Sequence, residues 1–85
     1  MTFTLEEQLT IANIKETKTL IQQQLIDTST LDIDCSQIQK VDAIGIQLLL
    51  SLSMIDGSVA VNLTKPSEYI QEIAKNLGVK SKLFL

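Results

Sequence analysis

Three carboxylates lie close together in the middle of the chain, at Asp32, Asp34 and Asp42. Carboxylates at this spacing could hold a divalent cation or act as an acid–base pair. However, Asp32 and Asp34 alternate with apolar residues, which predicts that both lie on the outward face of a strand. Asp42 precedes an apolar helical stretch, as an N-cap residue does. We therefore expect structural roles for all three and no metal site.

Other catalytic groups are scarce in this sequence. It contains no histidine and a single cysteine, Cys35. Histidine is the commonest general base and metal ligand, and one cysteine cannot build a usual zinc site. Cys35 ends an apolar strand, where we expect a buried, inert thiol. No nucleophile–base pair is apparent, so we predict no enzyme activity and no cofactor.

Composition restricts the classes of partner. The net charge is −3 and the seven basic residues are scattered, which argues against nucleic-acid binding. No apolar run approaches the roughly 20 residues that span a bilayer, so a membrane is expected only indirectly, through a partner. No signal-peptide pattern opens the sequence, and a lone cysteine suits a reducing compartment. The 85 residues therefore predict a single cytoplasmic domain over residues 1–85.

The hydrophobic pattern predicts elements in the order β-β-α-β-α-β-α. Strands are expected over residues 2–5, 9–14, 30–34 and 58–63, with a tight hairpin at residues 6–8 joining the first two. Helices are expected over residues 15–26, from 43 to 54 or 55, and from 68 to 77, with a short strand or turn at residues 79–85. Ser67 begins the last helix, and Gly57 and Gly78 end the second and third helices. Strands that alternate with helices imply a largely parallel sheet.

The helix that follows Asp42 is apolar on more than one side. Its core side carries Gly45, which would permit a close approach to the sheet. The opposite side carries Ala43, Ile46, Gln47, Leu50 and Met54. The helix could be buried on both sides, or rotated relative to this assignment. An exposed docking patch is the preferred interpretation, because so short a chain has little mass to cover a second face.

These residues carry a family resemblance. The run from Asp32 to Leu50 resembles the STAS-domain signature of anti-sigma-factor antagonists, in which an Asp, a small residue, any residue, Gly and an aliphatic residue open an apolar helix. The strand at residues 59–63, the following Lys65-Pro66-Ser67 and the sequence of residues 76–79 are also similar. The resemblance implies a STAS-like α/β fold: a mostly parallel or mixed sheet of four to five strands, with three helices packed on one side.

The resemblance also implies a docking surface at the start of the apolar helix. In anti-sigma-factor antagonists a Ser or Thr directly after the motif Asp is phosphorylated, and this sequence has Ala43 there. We therefore predict no phosphosite at that position. The hydroxyls of Ser36, Ser51, Ser53 and Thr64 are interpreted as loop, cap or helix-surface groups.

The sequence thus predicts a non-catalytic protein-interaction module of bacterial signal transduction. The residues expected to bind the partner are Ser36, Gln37, Gln39, Lys40, Asp42, Ala43, Ile46, Gln47, Leu50 and Met54. The resemblance implies a signalling kinase, an anti-sigma factor or a chemotaxis component as the partner. The alternative partner is the ATPase of a phospholipid-transport ABC complex. Nucleotide or lipid binding, and homodimerisation through the same face, are further possibilities.

Overall fold

A computed structural model describes residues 1–26, 28–55 and 59–84 of the chain. Their order of elements is close to the expected one, with a short additional strand and helix. The strands are β1 (Thr2–Thr4), β2 (Gln8–Leu9), β3 (Thr30–Asp34), β4 (Lys40–Val41) and β5 (Ala60–Thr64). The helices are α1 (Ile14–Ile26), α2 (Ala43–Ser53), α3 (Glu68–Asn76) and α4 (Lys80–Leu83).

Parallel pairing confirms the α/β class. Strands β1, β3 and β5 form a three-stranded parallel sheet in which β3 is central, while β2 and β4 form a separate parallel pair. The expected single sheet of four to five strands is therefore divided into two sheets over the described residues. Three helices were expected and the described residues form four, because residues 80–83 form the helix α4 instead of a strand or turn.

The apolar face of the three-stranded sheet forms the centre of the core. Leu31 and Ile33 of β3 are fully buried, as their alternation with Asp32 and Asp34 predicts. The facing layer comes from the helices and includes Leu49 of α2 and Ile70 of α3, both fully buried. Phe84 lies within the core, and Tyr69 packs against its edge.

The predicted hairpin at residues 6–8 is wrong. After β1 the chain runs towards β4, and the Glu7 carbonyl accepts hydrogen bonds from the Gln39 N–H (2.7 Å) and the Lys40 N–H (3.0 Å). No Gly or Asn at residues 6–8 favours a tight turn. The connection therefore carries the chain from one sheet to the other.

The predicted strand over residues 9–14 is also wrong beyond Leu9. Asn13 Oδ1 accepts a hydrogen bond from the Thr10 N–H (2.9 Å), and the Asn13 side-chain amide donates to the Gln8 carbonyl. The Asn13 carbonyl accepts from the Thr17 N–H, so α1 begins at Ile14. Short polar side chains that bond to the local backbone favour turns and helix caps over strands.

Several predicted helix boundaries are confirmed. Asp42 and Ser67 are the N-cap residues of α2 and α3. Gly78 follows α3 with a φ of 72°, a conformation that glycine adopts without strain. Gly57, expected to end α2, lies outside the described residues. Within the described ranges, no helix combines the length and apolar character needed to cross a membrane.

Candidate functional site

Asp42 connects the start of α2 to the turn that precedes α1. Its Oδ1 accepts a hydrogen bond from the Gly45 N–H (3.0 Å), which caps the helix, and its Oδ2 accepts from the Ile11 N–H (2.8 Å). These two backbone donors, Ile11 first, lower the pKa of the Asp42 carboxyl below its usual value. The Asp42 carboxylate thus links the first turn of α2 to the turn that precedes α1.

Gly45 brings the first turn of α2 close to the β2–β4 pair. A Cβ atom at this position would collide with the carbonyl oxygen of Leu9 and would lie 2.6 Å from Cγ2 of Val41. The prediction that Gly45 permits a close approach is therefore confirmed. Because the approach fixes which side of α2 faces inward, it also sets the rotation of the whole helix.

Side chains at the start of α3 bind the loop between β3 and β4. Ile38 is fully buried, and its carbonyl accepts a hydrogen bond from the Ser67 hydroxyl (2.6 Å). The Ser67 hydroxyl also accepts from the Ile70 N–H, and the Tyr69 hydroxyl accepts from the Val41 N–H (3.1 Å). The exposed side chains here are Gln37 and Gln39 of the loop and Lys40 at the start of β4, while Ser36 is half-buried. The loop is therefore fixed at Ile38 and where it enters β4.

The predicted outward side of α2 is partly wrong. Ala43, Gln47 and Met54 are exposed as expected, but Leu50 is half-buried and Ile46 is only 7% exposed. Ile44, which was not predicted, is 43% exposed. The reason is the contact at Gly45, which turns the helix so that its exposed side is centred near Gln47.

A groove of about 390 Å³ lies between the start of α2 and α3. Its lining from β4 and α2 comprises Val41, Asp42, Ala43, Ile46 and Gln47, and α3 and its C-terminus contribute Ile73 and Leu77. The structure thus brings together four of the predicted partner-binding residues. Met54 is not one of the lining residues and lies about 16 Å from Ala43 along the helix axis, at a rise of about 1.5 Å per residue.

Sequence reasoning missed three exposed aliphatic residues: Leu77, which lines the groove, and Ile11 and Ile44, which are bonded to or next to its lining residues. Leu77 is 57% exposed, and Ile11, whose amide is bound by Asp42, is 68% exposed. Ile44 follows Ala43 on α2. The signal for Leu77 was present, since it lies four residues after Ile73 and directly before the helix-ending Gly78. Exposed aliphatic side chains gathered at one place are typical of a binding surface.

The remaining reactive groups have structural roles. Cys35 is buried, as expected, and burial raises the pKa of its thiol to about 12, which disfavours the reactive thiolate. Asp34 accepts a hydrogen bond from the Ser36 N–H (2.8 Å), and hydrogen bonding from Ser36 lowers its pKa. Asp32 accepts from the side-chain amide of Asn62. Among the described residues, no three His, Cys, Asp or Glu side chains come together as a metal site would require.

Three of the four candidate hydroxyls donate to local backbone carbonyls. Ser51 donates to the Gln47 carbonyl, Ser53 to the Leu50 carbonyl and Thr64 to the Ile33 carbonyl. Ser51 and Ser53 lie on α2, as the helix-surface interpretation predicts, whereas Thr64 is the last residue of β5 and not a loop or cap residue.

Comparisons with protein-family models, with curated proteins and with solved structures found no match to this chain.

Proposed function

We propose that this chain is a non-catalytic, STAS-like regulator that docks onto a partner protein through one surface, which we call the α2 surface. It consists of Ile11, Asp42, Ala43, Ile44, Gln47 and Leu77, together with the exposed side chains of the loop at residues 36–40. One observation carries the proposal: the exposed Leu77 side chain lines a groove whose Asp42 wall is fixed by backbone hydrogen bonds from Ile11 and Gly45, and the exposed Ile11 and Ile44 side chains belong to residues bonded to or next to that wall. A surface held in this way loses little conformational freedom on binding.

The resemblance described for the sequence supports the same surface. Its motif, from Asp42 to Ile46, forms the cap and first turn of α2. Ala43, at the position that anti-sigma-factor antagonists phosphorylate, is exposed at the first helical residue. A phosphate there would lie at a helix N-terminus and beside the Asp42 carboxylate. Because alanine cannot accept it, the module binds its partner without this switch.

The proposed partner is a cytoplasmic signalling protein, namely a kinase, an anti-sigma factor or a chemotaxis component. The alternative is the ATPase subunit of a phospholipid-transport ABC complex, which would use the same surface. Affinity purification from the native host, followed by mass spectrometry, separates the two partner classes. Recovery of a kinase or anti-sigma factor supports the first, and recovery of an ABC-type ATPase supports the alternative.

The surface itself is tested with a matched pair of leucines. Leu77→Asp places a charge on the α2 surface, whereas Leu20→Asp makes the same change at an exposed position on α1. We expect Leu77→Asp to reduce partner recovery at least about tenfold, the loss typical of an interface hot spot, and Leu20→Asp to retain it. Equal recovery of the partner by the two variants would show that the partner does not dock on the α2 surface.

Nucleotide binding at the same place is less well supported. The N-terminus of α2 attracts anions, but the Asp42 carboxylate already occupies the Gly45 N–H and would repel a phosphate. We expect no change in melting temperature when ATP or GTP is added. Homodimerisation through the α2 surface would instead give a mass in light scattering that rises with concentration and falls in Leu77→Asp.

A further inference from the structure

The three-stranded sheet ends at β5, which pairs only with β3 among the described strands. The Ala60 N–H donates to the Ser29 carbonyl (2.9 Å), and the Thr64 carbonyl accepts from the Cys35 N–H (2.9 Å). In a parallel ladder, alternate residues of a strand direct both peptide groups to the same neighbour. Residues 60, 62 and 64 therefore bond to β3, and Val61 and Leu63 direct their N–H and C=O groups away from the sheet.

This outer edge is suited to pairing with a further strand. Natural proteins usually protect an edge with lysine, proline, a bulge or a very short strand. The five residues of β5 contain no charge and no proline, and Lys65 and Pro66 follow only after its end. The opposite edge strand, β1, has three residues. The edge of β5 is thus the longer of the two.

A groove of about 430 Å³ lies beside this edge. It is bounded by residues 61–63 of β5, by residues 81–83 of α4 and by Ser53 at the end of α2. Side chains of an added strand would alternate between this groove and the open face of the sheet. The α2 surface lies at the other end of α2, so the two places are separate.

The charge of the groove indicates which kind of strand fits it. Lys82 is exposed and is the one charged side chain among the described residues that line the groove. A second copy pairing through β5 would bring another Lys82 to the same groove, which disfavours self-association.

From this geometry we propose that the edge of β5 binds an extended, acidic segment of a partner protein by strand addition. Main-chain hydrogen bonds to Val61 and Leu63 hold the segment, and Lys82 selects its acidic side chains. This inference does not depend on the proposed function, because it concerns a different face of the molecule.

Amide hydrogen exchange measured by NMR tests the proposal directly. The probes are a short synthetic peptide of alternating valine and glutamate, and its counterpart with lysine in place of glutamate. In the free protein the amides of Val61 and Leu63 exchange rapidly, while those of Asn62 and Thr64 are protected by the ladder. The glutamate peptide slows exchange at Val61 and Leu63, and the lysine peptide does not. Lack of this protection, or equal protection by both peptides, would overturn the proposal.

Two variants complete the test. Lys82→Glu is expected to weaken binding of the glutamate peptide by about three- to tenfold, whereas Lys15→Glu, with the same change in net charge, leaves it within about twofold. Leu63→Pro removes an N–H that points away from β3, so it leaves the hydrogen bonds between β5 and β3 in place. It is expected to abolish binding of the glutamate peptide. Unchanged affinity in Lys82→Glu would overturn the acidic specificity even if Leu63→Pro failed to fold. Peptide-induced changes confined to the α2 surface would overturn the edge site and leave the proposed function standing.

Discussion

At the scale of single residues, two positions determine the geometry of the α2 surface. Asp42 bonds to two backbone segments that are far apart in sequence, and Gly45 lets α2 approach the β2–β4 pair. The sequence motif predicted the cap and the close approach. It could not predict the bond to Ile11, because that contact depends on the turn at residues 10–13, where a strand was expected.

Gly45→Ala is expected to destabilise the protein although alanine favours helix. The gain in helix propensity is about 1 kcal/mol. The new Cβ collides with the backbone of Leu9, which cannot move like a flexible side chain, so we expect a net loss of at least about 2 kcal/mol. Urea denaturation measures the change. Ser51→Ala, at an exposed position on the same helix, is the control and should change stability by less than about 0.5 kcal/mol.

Asp42 is expected to contribute to the pH dependence of stability. The pKa of Asp42 is lower in the folded protein than in the unfolded chain. The carboxylate therefore contributes fully to the free energy of unfolding above the unfolded-state pKa of about 3.9. This contribution is lost as the pH falls through the folded-state pKa. The difference in unfolding free energy between wild type and Asp42→Asn should therefore narrow as the pH falls below about 4. Urea titrations across this range measure it. A difference that stays constant with pH would contradict the account of the carboxylate.

At the scale of elements, the pattern predicted β3, α2 and α3 well. Each has a strong apolar period, and α2 and α3 carry N-cap residues that the structure uses. The failures have local causes. Asn13 ends the second strand early by bonding to Thr10 and Gln8. The apolar composition of α2 is nearly uniform and does not indicate which side faces the core; the tight contact at Gly45 determines it.

Ser67 is expected to stabilise two elements at once. Its hydroxyl caps α3 and donates to the carbonyl of Ile38, in a buried position. Ser67→Ala would remove the cap and leave the Ile38 carbonyl without this donor, at a cost of about 2–3 kcal/mol. Thermal and urea denaturation measure the loss. Ser81→Ala, at an exposed position on α4, is the comparison, and an equal effect of both changes would show that the Ser67 link contributes little.

At the scale of the whole molecule, the chain combines a small core with two distinct surfaces. The alternation of elements was sufficient to predict a parallel α/β domain. The division into two sheets was not predictable, because strands of two residues leave almost no periodic signal in the sequence. The grooves beside α3 and β5 form between elements distant in sequence, so the places of Leu77 and Lys82 in their linings required the structure.

The central claim is that a partner protein docks on the α2 surface, and site-specific photocrosslinking in the native host tests it most directly. A photoreactive amino acid is placed at Gln47, which lines the groove, or at Gln23, an exposed glutamine on α1. The account predicts a covalent adduct with a protein partner from position 47 and none from position 23. An adduct from position 23 alone, or no adduct from position 47, would contradict it.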